Sequence, residues 1–227
     1  MRKGKDPFPQ VKKSAVTTHA PAVQAKSLKS AMEDKKRKYI ALDFDSTIYD
    51  TPALKSCSRK IFSSHGFEFD SIYRKLSKKG FFSFKEYDQL DIDEEAKKDI
   101  IARCYADIED GAKYLYPDAI EFIKKCHLPI MIFTFGGADF QTAKIMGSGI
   151  DKLVDKIQIT QKGKHLSPEI LKKIKLMADD SLPILIDVKR IDNRVKLFLV
   201  DREDKYPDNK IPAGIIKVKH LTEIKCR

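Results

Sequence analysis

From Tyr39 onward the chain alternates between short, almost wholly apolar runs and longer stretches whose apolar residues recur every three or four positions. Tyr39–Leu42 (YIAL), Leu128–Thr134 (LPIMIFT), Leu182–Asp187 (LPILID) and Lys196–Val200 (KLFLV) have the length and composition of strands buried on both faces. Gly214–Val218 (GIIKV) is a weaker run of the same kind, and Ile157–Thr160 is a short one. Between them, Asp118–Lys125, Ala138–Met146 and Pro168–Met177 have helical spacing, and Ser167-Pro168-Glu169 is a good helix start. Buried strands alternating with amphipathic helices predict an α/β fold, a Rossmann-like parallel sheet covered on both faces.

Two regions depart from that rhythm. Residues 53–117 hold helical patterns at Ala53–Ser63, Asp70–Lys78 and Asp93–Asp110 and no buried strand, which predicts an inserted helical subdomain. Its aromatic residues (Phe67, Phe69, Phe81, Phe82, Phe84 and Tyr87) are expected to form the small core of that insertion. Residues 1–38 carry few large apolar side chains and are expected to be a flexible tail. The predicted division is therefore a tail at 1–38, an α/β core at 39–52 and 118–227, and a helical insertion at 53–117.

Composition changes one part of this picture. The 227 residues carry a formal net charge of +11, which invites a nucleic-acid function. Residues 1–38 supply +8 of it, and residues 39–227 only +3. Contact with nucleic acid or another anionic surface is thus expected through the tail only. Cys57, Cys104, Cys126 and Cys226 form no metal-finger spacing and are expected to be reduced thiols. No run is long enough for a membrane span, and the leader lacks the apolar stretch of a secretory signal, so a cytoplasmic location is expected. None of the five histidines has triad or metal-ligand spacing.

The candidate chemistry lies where the apolar runs end, because ligands of open α/β sheets bind beyond the carboxyl ends of the strands. The first run empties into Asp43-Phe44-Asp45-Ser46-Thr47, two acids that alternation along a strand places on one side. The second ends in Thr134-Phe135-Gly136-Gly137, a hydroxyl with open backbone N–H groups suited to an anion. Gln161-Lys162-Gly163-Lys164-His165 is a basic loop, and Leu182–Asp187 again ends in an acid, with Asp192 five residues on.

In chain order this is DxDxT, Thr, Lys, then Asp with a second Asp, and it resembles the haloacid dehalogenase-like superfamily over residues 39–227. Tyr116-Pro117-Asp118-Ala119 and Gln141-x-x-Lys144-Ile145-x-x-Ser148-Gly149-Ile150 agree with it as well. The insertion falls where that family carries a C1-type helical cap. The resemblance implies an Mg²⁺-dependent phosphatase. Asp43 would be the nucleophile, forming an aspartyl-phosphate, and Asp45 the acid and base. Thr134, Phe135, Gly136 and Lys164 would bind the phosphoryl group; Asp43, the Asp45 carbonyl, Asp187 and Asp192 would hold or support Mg²⁺. Dehalogenases of the superfamily lack the second acid, so Asp45 favours phosphate esters. The roof formed by the cap favours small phosphorylated metabolites, of the sugar-phosphate or nucleotide class.

Two positions stay open in the sequence. The third-motif lysine is Lys164 or Lys162, with Lys164 preferred because Leu166-Ser167-Pro168-Glu169 follows it as a helix start. The fourth motif has Val188 where relatives often carry a second adjacent acid. That departure keeps an alternative function in view, a catalytically weak or inactive binding protein whose basic tail engages nucleic acid or an anionic partner. The substrate and the oligomeric state are not legible.

Overall fold

Strand β1 (Tyr39–Leu42) is central in a six-stranded sheet, all parallel, with the order β3-β2-β1-β4-β5-β6 in the computed structural model. Its partners are β2 (Ile130–Phe135) and β4 (Ile174–Asp179); β3 (Lys156–Thr160), β5 (Lys196–Val200) and β6 (Ile215–Val218) complete the sheet. The structure describes residues 39–77 and 89–225. The tail at 1–38, Cys226, and Phe81, Phe82, Phe84 and Tyr87 lie outside the described residues. The three described cysteines are free thiols, and no helix among the described residues is long and apolar enough to cross a membrane.

Strand alternation divides the core in two. Ile40, Leu42, Ile130 and Ile132 point into one apolar cluster, while Tyr39, Ala41, Met131 and Phe133 point into the other. Both faces are covered, which is why these strands carry no polar face. On the first side pack helices α4 (Pro117–Lys125) and α5 (Ala138–Ser148); on the second, a single turn, α6 (Pro168–Leu171), and helix α7 (Leu182–Ile191). The Tyr116-Pro117-Asp118 signature has a structural role. The Asp118 carboxylate accepts two hydrogen bonds from Arg202 and one from the Leu221 backbone N–H, and the Arg202 guanidinium lies 3.8 Å from the Tyr116 ring centroid.

One strand assignment fails. Leu182–Asp187, expected to be a strand, lies within helix α7, and the expected helix Pro168–Met177 stops at Leu171 and gives way to β4. The reason is physical. Leu182, Leu185 and Val188 are buried at spacings of three, and Pro183 sits in the first turn, where its missing N–H costs nothing. A short apolar run satisfies both periods. Within β4, Lys175 is the one exposed position of Ile174–Asp179, and that single polar residue gave the segment a helical look.

The insertion contains α1 (Thr51–Ser63), α2 (Phe69–Leu76) and α3 (Glu94–Glu109). Ile61, Phe62, Phe69, Leu90, Ile100 and Cys104 form a third apolar cluster there, with Phe140 of α5 packed against it. Helix α3 backs closely onto α5: a Cβ on Gly147 would lie 2.1 Å from the Ile108 carbonyl oxygen, which is backbone and cannot swing away. Gly147→Ala is therefore expected to destabilise the protein by roughly 1–3 kcal/mol or more through overpacking, read as a lower denaturation midpoint in urea. An unchanged midpoint would contradict this packing.

Candidate active site

Register brings the acids together. Leu42 pairs with Ile132 of β2 and Ala178 of β4, so the next residues along the central strands are Asp43 and Asp179. The Asp43 N–H donates to the Ala178 carbonyl at 2.9 Å, extending the ladder by one bond. Beyond Asp43 the chain leaves the sheet through Ser46, which takes a left-handed conformation (φ 57°), and the Ser46 N–H donates to the Tyr49 carbonyl. This turn carries Asp45 away from the sheet and into a cleft.

At the sheet edge Lys164 is almost wholly buried. Its Nζ donates to Asp43 Oδ1 at 2.5 Å and to Asp179 Oδ2 at 2.6 Å. Asp43, Asp179 and Asp180 each place a carboxylate oxygen within 4.8 Å of the other two. Burial raises the Asp43 carboxyl well above its ordinary range against the pull of Lys164, with Asp179 and Asp180 adding to the rise. Asp180 is pushed up to about 6, by burial first and then by Asp179. Burial works against the Lys164 charge, yet the two carboxylates outweigh it and raise its pKa. Lys162, by contrast, is exposed, and its backbone pairs with the Thr160 hydroxyl. Of the two lysines, Lys164 is the one whose ammonium reaches Asp43 and Asp179.

The acids that join Asp43 at the sheet edge are Asp179, which ends β4, and Asp180, which follows it. Asp187 sits on α7, facing Arg190 at 3.2 Å and His165 at 3.8 Å. Asp192 is clasped by Arg194 at 2.6 and 2.7 Å. Neither belongs to the carboxylate cluster, because both follow a segment that is helix instead of strand. With Asp187 displaced, Val188 is simply a buried residue of α7. Two adjacent acids, Asp179 and Asp180, stand eight residues earlier.

Asp45 lies in a second group of polar contacts. Lys144 of α5 donates to Asp45 Oδ1 at 2.5 Å, as does the Thr51 hydroxyl from the start of α1, and Gln141 Nε2 donates to Oδ2 at 2.7 Å. Burial resists ionisation of Asp45, but the charge and hydrogen bond of Lys144, then Thr51 and Gln141, lower its pKa. Thr134 is buried at the end of β2, and Gln141 Nε2 donates to its Oγ1 at 3.2 Å and to the Phe135 carbonyl at 2.9 Å. Gly136 makes that arrangement fit, since a Cβ there would stand 2.7 Å from Gln141 Cγ and Nε2. Lys144 and Gln141 were legible only as members of a spaced signature; their contact with Asp45 depends on how α5 crosses the strand ends.

Asp45, Phe135, Gly136, Gln141 and Lys144 form the sheet side of a cleft of about 270 Å³, and α1 and α2 form the other. Three carboxyl groups around one ammonium give the cluster an all-oxygen donor set suited to a hard divalent cation, whose charge would favour their ionised forms. The residues present therefore fit Mg²⁺, with Asp43, Asp179 and Asp180 as the carboxylates that would hold it.

No protein-family model matches the chain, and no curated protein matches it significantly. Solved structures do. A haloacid dehalogenase-like hydrolase from Burkholderia xenovorans LB400 superposes with a TM-score of 0.64 at 18% identity, covering 82% of this chain and 97% of that one. The HAD-hydrolase YfnB of Bacillus subtilis, in a form bound to magnesium, gives 0.57 at 16% identity with the same coverage. L-2-haloacid dehalogenase of Xanthobacter autotrophicus gives 0.59 at 14% identity, covering 82% of this chain and 96% of that one. Order of strands, placement of the acids and these superpositions agree: the chain has the haloacid dehalogenase-like hydrolase fold.

Proposed function

We propose that this protein hydrolyses phosphate monoesters of small metabolites with the help of Mg²⁺, through a phosphoryl group carried on Asp43. The observation that carries this reading is the buried Lys164 bridge between Asp43 and Asp179, with Asp45 two residues beyond at the mouth of a cleft. A carboxylate approaching a phosphate dianion needs positive charge already in place; Lys164 supplies one such charge without moving. Bound Mg²⁺ would neutralise further charge and orient the phosphoryl oxygens.

In the first half-reaction an Asp43 oxygen forms a bond to phosphorus while the bond from phosphorus to the leaving oxygen breaks. That oxygen leaves with its electron pair and takes up a proton. Asp45 faces this departure from the cleft side and, in its protonated form, supplies that proton. In the second half-reaction water gives a proton to Asp45 and adds to phosphorus, the bond from phosphorus to the Asp43 oxygen breaks, phosphate departs, and the Asp43 carboxylate returns. The Thr134 hydroxyl is the group suited to a phosphoryl oxygen; the Gly136 N–H, expected to be open, already donates to the Thr160 carbonyl at 3.0 Å. Asp45 also distinguishes this chemistry from dehalogenation, where halide leaves unprotonated.

The test is a panel of aryl and alkyl phosphate monoesters assayed with Mg²⁺ and with chelator. Hydrolysis that needs the metal is the expected result. A panel left intact, with 2-haloacids cleaved instead, would overturn the reading, and so would a panel left intact with no other ester cleaved.

A further inference from the structure

The wall of the cleft opposite Asp45 is built from α1 and α2, and its chemistry is uneven. Thr51, Leu54, Lys55 and Ser58 form a stripe along α1 at spacings of three and four, and all four line the cleft. Thr51 is the residue that touches Asp45. Lys55 stands one turn further along, about 6 Å by the rise of a helix. Its ammonium lies 4.7 Å from the centroid of the Tyr73 ring, and that ring also lines the cleft. Phe69 and Phe140 supply further aromatic lining.

The charges in this wall do not cancel locally. Lys144 is matched by Asp45. The acid nearest in effect to Lys55 is Asp70, whose carboxylate is engaged by both arms of the Arg59 guanidinium. Among the described residues no carboxylate lies within ion-pair distance of Lys55. A lysine turned into a cleft, steadied on an aromatic ring and left without a carboxylate, is a ready receptor for an anion.

We infer that the substrate carries a second anionic group, a carboxylate or another phosphate, on a flat apolar spacer that places it about one helical turn beyond the Thr51–Asp45 contact, where Lys55 receives it. This rests on the phosphatase reading for the position of the scissile bond. The spacer lies against Leu54, Phe69 and Phe140, and the reacting phosphate reaches past Asp45 to Asp43. Esters with a neutral end lose the Lys55 contact and keep only the apolar one.

The experiment compares para-carboxyphenyl phosphate with phenyl phosphate in the wild-type protein, Lys55→Met and Lys55→Arg. Wild type and Lys55→Arg are expected to prefer the carboxylated ester by about 10- to 100-fold in kcat/KM, the usual worth of a charge-assisted contact. In Lys55→Met the ratio is expected to fall to about one. Calorimetric titration with the two corresponding phosphonates reads the same preference as a ratio of Kd values and needs no turnover. A wild type with no preference in binding, or a preference that survives in Lys55→Met, overturns the inference. Preference in binding without hydrolysis of either ester supports the subsite and overturns the phosphatase reading alone.

Discussion

Asp43→Asn should abolish hydrolysis while leaving the fold as stable as before, or more so. An amide cannot form the covalent bond to phosphorus, and loss of a nucleophile from a covalent mechanism lowers kcat by on the order of 10⁴- to 10⁶-fold. Stability moves differently because Asp43 is a costly residue in the resting protein. Burial and three neighbouring acids, Asp179, Asp180 and Asp45, disfavour its charge, and Lys164 offsets only part of that. Asparagine keeps the shape, removes the charge, and leaves Lys164 its bond to Asp179. A loss of activity with an unchanged or raised Tm marks a residue kept for chemistry. A fall in Tm that matches the loss of activity would make Asp43 a structural acid instead.

Lys164→Met should produce the opposite combination, with activity and stability lost together. The ammonium is the shared partner of two buried carboxylates, both within 2.6 Å. Removing one side of a buried pair leaves uncompensated charge, a cost of about 3–5 kcal/mol. The site loses the fixed positive charge that faces Asp43 and the incoming phosphate. Two controls separate chemistry from collapse. Lys162→Met, on the exposed side of the same loop, should change neither quantity. Lys164→Met combined with Asp43→Asn should recover part of the lost Tm while remaining inactive, because one of the two stranded charges is gone. A single variant with normal stability would show that the bridge is absent in solution.

Most of the site was legible because its residues directly follow strands whose apolar composition admits one interpretation. Tyr39–Leu42 and Ile130–Thr134 are buried on both faces, and Asp43 and Thr134 stand at their carboxyl ends as the pattern predicts; Asp45, expected on the same side as Asp43, turns off into a separate group of contacts because the strand ends at Leu42. The helix start that follows Lys164 set it apart from Lys162 in the sequence, and in the structure it is Lys164 that is buried between Asp43 and Asp179. The fourth motif misled because its two candidate runs are equally short. Leu182–Asp187 and Ile174–Asp179 carry four apolar residues each, and the helix takes the first, with Leu182, Leu185 and Val188 on its buried side. The adjacent Asp179-Asp180 was the signal that separates them, since two consecutive acids directly after an apolar run fit a strand end better than a helix interior.

The environment of Asp45 was not legible at all. Thr51 is six residues from it, but Gln141 and Lys144 are about a hundred away, and no local pattern reports a contact across that distance. What places them is packing. Gly147 lets α3 lie against α5, Gly136 leaves room for the Gln141 side chain, and Gly149, at φ 71°, ends α5 one turn beyond Lys144. The net charge is another case in which position matters more than composition. The body from residue 39 onward is nearly neutral, and its functional charges are the few at the strand ends and along α1.

The central claim is that Asp43 itself carries the phosphoryl group, and mass spectrometry of the protein after rapid acid quench during turnover of an aryl phosphate tests it most directly. The account predicts a phosphoryl adduct on the peptide that holds Asp43, present in the wild type and absent from Asp43→Asn. Turnover with no adduct, or an adduct on any other residue, would contradict it.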